Sequence, residues 1–228
     1  MKQFIIAATC LLLVSCGDGK KAELKSDIDS VSYSIGLDVG NTFQRQGIEV
    51  TPEAFLQGLK DASDTSGKRL MTDEQIQTTM MAFQQKMMTK QQEKMQQQAG
   101  SSIAEGERFL AENKTKPGVI ATKSGLQYKV ITTGSGRKPN ASNEVKVRYR
   151  GTLLDGTEFD NSVNRGGSVT LPVSGVFPGL TEALLLMPTG SKWELYIPSN
   201  LGYGNTGSGP IPPGATLIFE VELLSIVK

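Results

Sequence analysis

The hydrophobic periodicity of this 228-residue chain changes once, near residue 116, and this change constrains the fold more than any other feature. Before it, apolar residues recur every three or four positions, which is the spacing of one face of an α-helix. After it, apolar and polar residues alternate, which is typical of half-buried β-strands. We therefore predict two folded parts, a helical one over residues 26–115 and a sheet-rich one over residues 116–228.

Three helices are predicted in the first part. The first covers 27–47, and its apolar face consists of Ile28, Val31, Ile35, Val39 and Phe43. Thr51 followed by Pro52 is typical of a helix start and opens the second helix, which Ser66-Gly67 ends. A capping-box sequence at 72–75 opens the third helix. Its apolar stripe consists of Ile76, Met80, Phe83 and Met87.

The third helix becomes polar on all sides after Met88. Such a composition is expected where a helix bridges two domains through solvent. A continuous helix over 73–112 would be roughly 60 Å long. The sequence leaves open whether Gly100 and the two serines after it interrupt this helix.

Three short helices give a monomer only a thin hydrophobic core. Ser32, Gly36 and Gly40 lie four residues apart and form a strip almost without side chains. Because each glycine costs a helix about 0.5–1 kcal/mol relative to alanine, two in register indicate that another backbone passes close by. We expect a homodimer formed through residues 26–90. The alternative is a small monomeric bundle that buries the methionine stripe.

The second part has four alternating segments and one helix. Their inward faces are Leu126, Tyr128 and Val130; Val145, Val147 and Tyr149; Trp193, Leu195 and Ile197; and Leu217, Phe219, Val221 and Leu223. Asp155-Gly156 predicts a tight hairpin. The helix covers 179–187 and ends before Pro188. About five or six strands and one short helix predict an α+β fold, with an antiparallel sheet wrapped on that helix.

The first fifteen residues have the pattern of an export signal. The apolar run 4–14 is shorter than the roughly 20 residues that span a bilayer, and it fits a secretory leader. It ends in Leu13-Val14-Ser15-Cys16, which resembles the bacterial lipobox, in which the cysteine becomes the lipid-modified N-terminus. We expect a signal peptide over 1–15, lipidation of Cys16 and a polar tether over 16–25. The alternative is a plain secreted protein in which Cys16 is a stray thiol.

A lipid anchor implies attachment to a membrane and a place in the bacterial cell envelope, with the protein facing the periplasm or the cell exterior. The composition excludes several other classes of protein. There is no histidine, which removes Ser-His-Asp and Cys-His catalysis and every histidine-ligated metal site. The 24 Lys and Arg balance 23 Asp and Glu without a basic stripe, which argues against nucleic-acid binding. We expect no metal and no cofactor.

Two motifs have a less specific meaning than their letters suggest. Residues 202–207 spell G-x-G-x-x-G, but a proline-rich segment follows where a dinucleotide site needs a helix, so the motif predicts a loop. Asp155, Glu158 and Asp160 form a carboxylate cluster. Asp155 is explained by the turn, and Glu158 and Asp160 are expected on one face of a strand unless the strand ends there. An acid/base pair is a minor alternative because nothing else polar converges on them.

An aromatic set carries the strongest functional signal. It consists of Tyr149, Phe159, Tyr203 and Phe219, joined by the only tryptophan, Trp193. These residues could simply form a core. However, Tyr203 lies in a Gly/Pro-rich loop, where aromatic side chains usually line a binding surface. The apolar segment 176–180 enters the predicted helix at a place suited to the floor of a pocket.

Several ordered motifs resemble one known family. Residues 118–228 resemble the FKBP-type peptidyl-prolyl isomerase domain through VRYRG at 147–151, DGTEFD at 155–160, VFPG at 176–179, GYG at 202–204, IPP at 211–213 and LIFEVEL at 217–223. Residues 30–115, with YSIG at 33–36 and AEGERFL at 104–110, resemble the helical dimerisation domain of the macrophage infectivity potentiator group. Together the two resemblances cover nearly all of the chain after the signal.

The resemblance implies a hydrophobic pocket for proline and an isomerase that needs no covalent or metal chemistry. It gives catalytic roles to Tyr149, Phe159, Asp160, Tyr203 and Phe219, and substrate contacts to Val176, Phe177, Leu180, Ile211 and Arg165, with Arg165 pairing near Asp160. The chain departs from the family pattern at several positions. The usual floor tryptophan is Leu180, the usual isoleucine after Val176 is Phe177, a wall phenylalanine is Val169, and the loop after Tyr203 is one residue shorter. These departures leave substrate preference and the affinity for macrolide-type inhibitors open.

The implied substrates are proline-containing unfolded or extended polypeptides, met during the folding of exported proteins. The alternative is a lipid-anchored dimeric holdase chaperone with weak or incidental isomerase activity. A pure anchoring or adhesion module would bind no prolyl peptide at all.

Overall fold

A computed structural model describes residues 23–227 of the chain. The signal peptide, Cys16 and most of the expected tether lie outside these residues. The chain divides into two compact units, with the boundary between Asp73 and Glu74. None of the helices formed by residues 23–227 is both long and apolar enough to span a membrane.

The first unit contains two helices. Helix α1 (Asp27–Gln46) starts at a capping box, in which the Ser26 hydroxyl accepts from the Asp29 N–H at 3.1 Å and the Asp29 carboxylate accepts from the Ser26 N–H at 2.9 Å. Helix α2 (Pro52–Ser63) begins at the predicted proline, but the Thr51 side chain makes no capping hydrogen bond. Proline, whose fixed φ and missing N–H suit the first turn of a helix, is therefore the start signal here.

The apolar faces of these two helices stay open to solvent in a single chain. Neither α1 nor α2 has a buried residue, and Ile28, Val31 and Ile35 are 77%, 58% and 59% exposed. Within the described chain, no atom outside the helix itself lies within 4 Å of a Cβ built on Gly36 or Gly40. Within the first unit, α1 and α2 therefore bury no apolar core of their own.

The second unit begins with one long helix. Helix α3 (Asp73–Asn113) runs for 41 residues, roughly 60 Å, and Gly100 does not interrupt it. Its buried residues are Ala99, Gly106 and Asn113, spaced seven apart and therefore on one side of the helix. The fully buried positions of α3 are thus small or polar residues.

The sheet has seven antiparallel strands within residues 23–227. They are β1 (Val119–Ala121), β2 (Gln127–Thr132), β3 (Glu144–Thr152), β4 (Glu158–Asn161), β5 (Val169–Pro172), β6 (Lys192–Ile197) and β7 (Leu217–Ile226). Their order is β1-β2-β6-β7-β3-β4, and β5 pairs with the first half of β3. The sequence predicted five or six strands because β1 and β5 are too short to show alternation.

The core lies between one face of the sheet and a short helix, as the sequence predicted. Helix α4 (Pro178–Leu186) packs its Leu180, Ala183 and Leu184 against the alternate residues of the long strands. On β3 the burial alternates strictly from Glu144 to Arg150. The α+β expectation, with an antiparallel sheet on one short helix, is confirmed.

The opposite face of the sheet is covered by the end of α3. The Phe109 ring lies 5.8 Å from the ring of Tyr196, which points away from the core on β6. The buried Asn113 amide donates to the Gln127 side-chain oxygen at 3.1 Å, and Gln127 donates to the Leu110 carbonyl at 2.8 Å. These two hydrogen bonds fix the end of α3 on β2.

The Asn113–Gln127 hydrogen bond is tested by Asn113→Ala. Because both amides are buried, the substitution leaves the Gln127 oxygen without its donor, and we expect a loss of about 1–3 kcal/mol in the free energy of unfolding. Urea unfolding measures this loss. Gln97→Ala, on the exposed side of the same helix, should stay within about 0.5 kcal/mol of the wild type. Equal effects of the two substitutions would contradict the role of this pair.

Candidate functional site

Five aromatic side chains meet where β3, β4 and β7 approach the start of α4. The Phe219 ring is at the centre, 5.9 Å from Tyr149, 5.4 Å from Phe159 and 5.5 Å from Phe177. The Tyr203 ring lies 5.3 Å from Phe177. We call Tyr149, Phe159, Phe177, Tyr203 and Phe219 the aromatic cluster.

A glycine makes room for this cluster. Gly151 on β3 is paired with Phe219 on β7, and both are buried. A Cβ on Gly151 would lie 2.7 Å from the Phe159 ring and 2.9 Å from the Phe219 ring. The strand therefore needs a residue without a side chain here so that two rings can occupy the space. Sequence reasoning missed Gly151, although a glycine inside an alternating strand is a known sign of close approach.

A bulge in β4 separates the two carboxylates that were expected to share a face. Thr152 pairs with Glu158 and Gly151 pairs with Asp160, so Phe159 is the extra residue. Glu158 accepts from Arg150 at 2.6 Å, whereas Asp160 accepts from the Tyr149 hydroxyl at 2.8 Å. Because Tyr149 and Arg150 point to opposite faces of β3, the expectation is wrong, and these carboxylates form no acid/base pair.

Asp160 joins the cluster to a cation at its edge. The Arg165 guanidinium lies 3.1 Å from both carboxylate oxygens, as the resemblance implied. On the other side the Tyr149 hydroxyl donates to the same carboxylate, and the Tyr149 N–H donates to the buried Ser162 hydroxyl at 3.1 Å. Ser162 is a second residue that sequence reasoning missed, and it fixes the backbone of Tyr149.

Both tyrosines of the cluster remain protonated at neutral pH. Burial, and then the hydrogen bond to Asp160, raise the pKa of Tyr149 to about 12. Burial, and then the negative charge of Asp160, also raise the pKa of Tyr203. The Tyr149 hydroxyl already donates its hydrogen bond to Asp160. The Tyr203 hydroxyl makes no hydrogen bond to any residue of 23–227, so it is the donor that remains available.

The other expected apolar residues belong to the hydrophobic core that includes the cluster. Leu180 and Ile211 are buried in the same core, and Val176 and Val169 pack against it while partly exposed. Trp193 does not join the cluster, contrary to the sequence expectation. Its ring stacks on Tyr128 at 4.2 Å, because both side chains lie on the same face of the paired strands β2 and β6.

The G-x-G-x-x-G segment forms a loop, as predicted. Gly204 and Gly207 have φ of 61° and 69°, and Ser208 and Ile211 form a two-way backbone bridge. The next regular element is strand β7, so no helix follows the glycines. The segment therefore lacks the helix N-terminus that a dinucleotide site needs.

Comparison with known proteins identifies the class of the chain. Residues 135–224 match the family described as FKBP-type peptidyl-prolyl cis-trans isomerase, and residues 28–130 match the domain amino terminal to FKBP-type peptidyl-prolyl isomerase. The chain belongs to the FKBP-type peptidyl-prolyl cis-trans isomerases. It therefore catalyses cis-trans isomerisation of the bond before proline in polypeptides, and the family assignment does not favour the holdase alternative.

Relatives match along nearly the whole chain. The outer membrane protein MIP of Legionella longbeachae is 44% identical over 206 residues, which are 90% of this chain and 88% of the relative. The peptidyl-prolyl cis-trans isomerase Mip of Coxiella burnetii is 41% identical over 207 residues, covering 90% and 89%. The crystal structure of FkpA from Escherichia coli matches with a TM-score of 0.75 at 36% identity, covering 90% of this chain and 98% of that one.

The raised pKa of Tyr149, caused by its burial and then by its hydrogen bond to Asp160, predicts how stability depends on alkaline pH. The folded protein keeps the Tyr149 phenol protonated to about pH 12, whereas a tyrosine in an unfolded chain ionises near pH ~10. The stabilisation is therefore complete below pH ~10 and is lost as the pH rises towards the folded-state pKa.

Tyr149→Phe should remove this part of the decline, which urea unfolding at a series of alkaline pH values measures. Tyr33→Phe, at an exposed position of α1, is the control and should leave the decline unchanged. A decline in Tyr149→Phe equal to that of the wild type would contradict the raised pKa of Tyr149.

Proposed function

We propose that the aromatic cluster, with Val176, Leu180 and Ile211 beside it, is the site where this isomerase binds proline. The observation that carries the proposal is the protonated hydroxyl of Tyr203, which has no hydrogen-bond partner among residues 23–227 and belongs to a ring that packs on Phe177, next to Phe219. This combination offers apolar surface for a pyrrolidine ring and a hydrogen-bond donor for a neighbouring carbonyl. It is the arrangement expected of a small-ligand site with few polar groups.

The reaction needs no group that forms a covalent bond. The barrier to X-Pro isomerisation is about 20 kcal/mol and comes from amide resonance, which the twisted transition state has lost. In this proposal Phe159, Phe177 and Phe219 hold the proline ring and exclude the water that stabilises the planar, charge-separated amide. The carbonyl before the proline then rotates while the ring stays fixed.

Tyr203 and Asp160 have different roles in this proposal. The Tyr203 hydroxyl donates to a substrate carbonyl and is therefore a catalytic residue. Asp160 accepts a hydrogen bond from the Tyr149 hydroxyl and pairs with Arg165, so it holds the Tyr149 ring against Phe219. A rate gain of 10⁴–10⁶ requires about 5.5–8 kcal/mol of transition-state stabilisation, within reach of water exclusion and a few oriented groups.

Tyr203→Phe tests the proposed donor. Loss of one hydrogen bond made in the transition state is expected to lower kcat/KM roughly five- to tenfold. The measurements are isomerisation of a prolyl peptide and refolding of a protein limited by proline isomerisation. Asp160→Ala should also lower kcat/KM, because Tyr149 and Arg165 lose their common partner.

The matched control is Tyr128→Phe, which removes a hydroxyl from a tyrosine that stacks on Trp193 outside the cluster. It should retain wild-type kcat/KM. If Tyr203→Phe and Tyr128→Phe both behave like the wild type, Tyr203 is not the donor. If the wild-type protein suppresses aggregation but does not accelerate isomerisation, the holdase function replaces the proposed proline site.

We further propose that the first unit pairs with a second copy of the chain, and that Cys16 carries a lipid anchor in the bacterial cell envelope. The exposed apolar face of α1, together with the open strip at Gly36 and Gly40, supports the pairing. The relative from Legionella longbeachae is named an outer membrane protein, which supports an envelope location. The export signal and the lipobox-like sequence support the anchor.

Ile35→Glu tests the pairing. A charge in the centre of the exposed face would have to be buried without a partner in the dimer, so the mass measured by light scattering should fall from two chains to one. Ile131→Glu, at an exposed position on β2, should leave the mass at two chains. A wild-type protein with the mass of one chain at micromolar concentration would contradict the proposed dimer.

A further inference from the structure

We infer that the last third of α3, residues 99–113, positions the loop that carries Tyr203 and Ile211, through contacts that only small residues permit. This inference rests on the proposed proline site. Its consequence is that residues of α3 that touch no substrate set the activity of the site. We call residues 202–214 the Tyr203 loop.

The first contact joins α3 to the end of the Tyr203 loop. Gly214 lies against the backbone of Ala99, and a Cβ on Gly214 would overlap the Ala99 carbonyl oxygen and lie 3.0 Å from the Ala99 Cα. Gly214 has φ of 73°, a conformation that favours glycine. Ala99 is 4% exposed, so this contact excludes water. The position of each of these two residues therefore constrains the other.

A second contact lies two helical turns further on. A Cβ on Gly106 would overlap the Thr216 hydroxyl oxygen and lie 3.0 Å from the Thr216 Cβ. Thr216 is buried and comes two residues after the end of the Tyr203 loop. The helix thus touches the chain at Gly214 and again at Thr216, which fixes both the distance and the angle at which this segment leaves the loop.

One hydrogen bond connects this contact to Tyr203. The Gly214 N–H donates to the Gly204 carbonyl at 2.9 Å, and Gly204 directly follows Tyr203. The Gly204 N–H in turn donates to the Ser199 carbonyl at 2.8 Å. A shift of Gly214 away from α3 therefore moves or breaks the bond that closes the loop beside Tyr203.

The Tyr203 loop needs such support because its own sequence gives it little rigidity. Gly204, Gly207, Gly209 and Gly214 all have φ between 54° and 73°. Glycine loses more conformational freedom on ordering than any other residue, so an unsupported loop would have to be ordered by the substrate. A loop held in place beforehand avoids that cost and places the Tyr203 hydroxyl with the precision that catalysis needs.

The pair Gly106→Ala and Gly100→Ala tests the inference in the full-length chain. Both substitutions put alanine in the interior of the same helix. However, apart from the neighbouring backbone of the helix itself, no atom of the described chain lies within 4 Å of a Cβ on Gly100. Because a displacement of about 1 Å can cost catalysis up to 10²-fold, we expect kcat/KM to fall about tenfold in Gly106→Ala. Gly100→Ala should keep the wild-type value.

Two readouts separate positioning from a general loss of structure. Adding Thr216→Ala to Gly106→Ala removes the overlapping oxygen and should restore most of kcat/KM. In Gly106→Ala the amide hydrogens of Gly204 and Gly214 should exchange faster, whereas the amide of Val221, in the core of β7, should exchange as in the wild type.

Equal kcat/KM in the two glycine variants would overturn the inference, as would a loss that Thr216→Ala does not restore and that Val221 exchange accompanies. If Gly106→Ala does not fold, Ala99→Leu against the exposed Ala104→Leu applies the same test. A Tyr203→Phe variant with the kcat/KM of the wild type would instead refute the proposed site, and with it the basis of this inference.

Discussion

The site depends on one constraint, the packing of two phenylalanine rings over a strand position that has no side chain. Gly151 lies opposite Phe219, and any larger residue would collide with the rings of Phe159 and Phe219. With that space open, the Phe219 ring touches three other rings of the aromatic cluster. The bulge at Phe159 then directs Asp160 to Tyr149. The apolar surface and its polar edge therefore follow from the same few residues of β3, β4 and β7.

A chain without histidine suits a reaction of this kind. Rotation about an amide bond requires neither a nucleophile nor a general base, so the protein needs only to hold the proline, exclude water and donate hydrogen bonds. Burial favours these tasks because it keeps the phenols of Tyr149 and Tyr203 protonated. One phenol donates to Asp160 inside the cluster, and the other has no hydrogen-bond partner among residues 23–227.

Much of this fold can be predicted from the sequence, because one face of each long strand is buried and apolar and polar residues therefore alternate along it. Asp155-Gly156 fixes the hairpin, whose Leu153 N–H donates to the Thr157 carbonyl at 2.9 Å. Other features produce no such pattern in the sequence. The bulge at Phe159 interrupts the alternation of apolar and polar residues along β4. The stacking of Trp193 on Tyr128 cannot be predicted without knowing that β2 and β6 are neighbours. Hydrophobic periodicity does not reveal the buried positions of α3, because these are Ala99, Gly106 and Asn113.

The most direct test is NMR of a short prolyl peptide in the presence of the full-length protein. We predict accelerated exchange between the cis and trans forms, together with nuclear Overhauser effects from the proline ring to the rings of Phe159, Phe177 and Phe219. Accelerated exchange with contacts only to the exposed face of α1, at residues such as Ile28 and Val31, would contradict this prediction. Absence of acceleration at saturating peptide would contradict it as well.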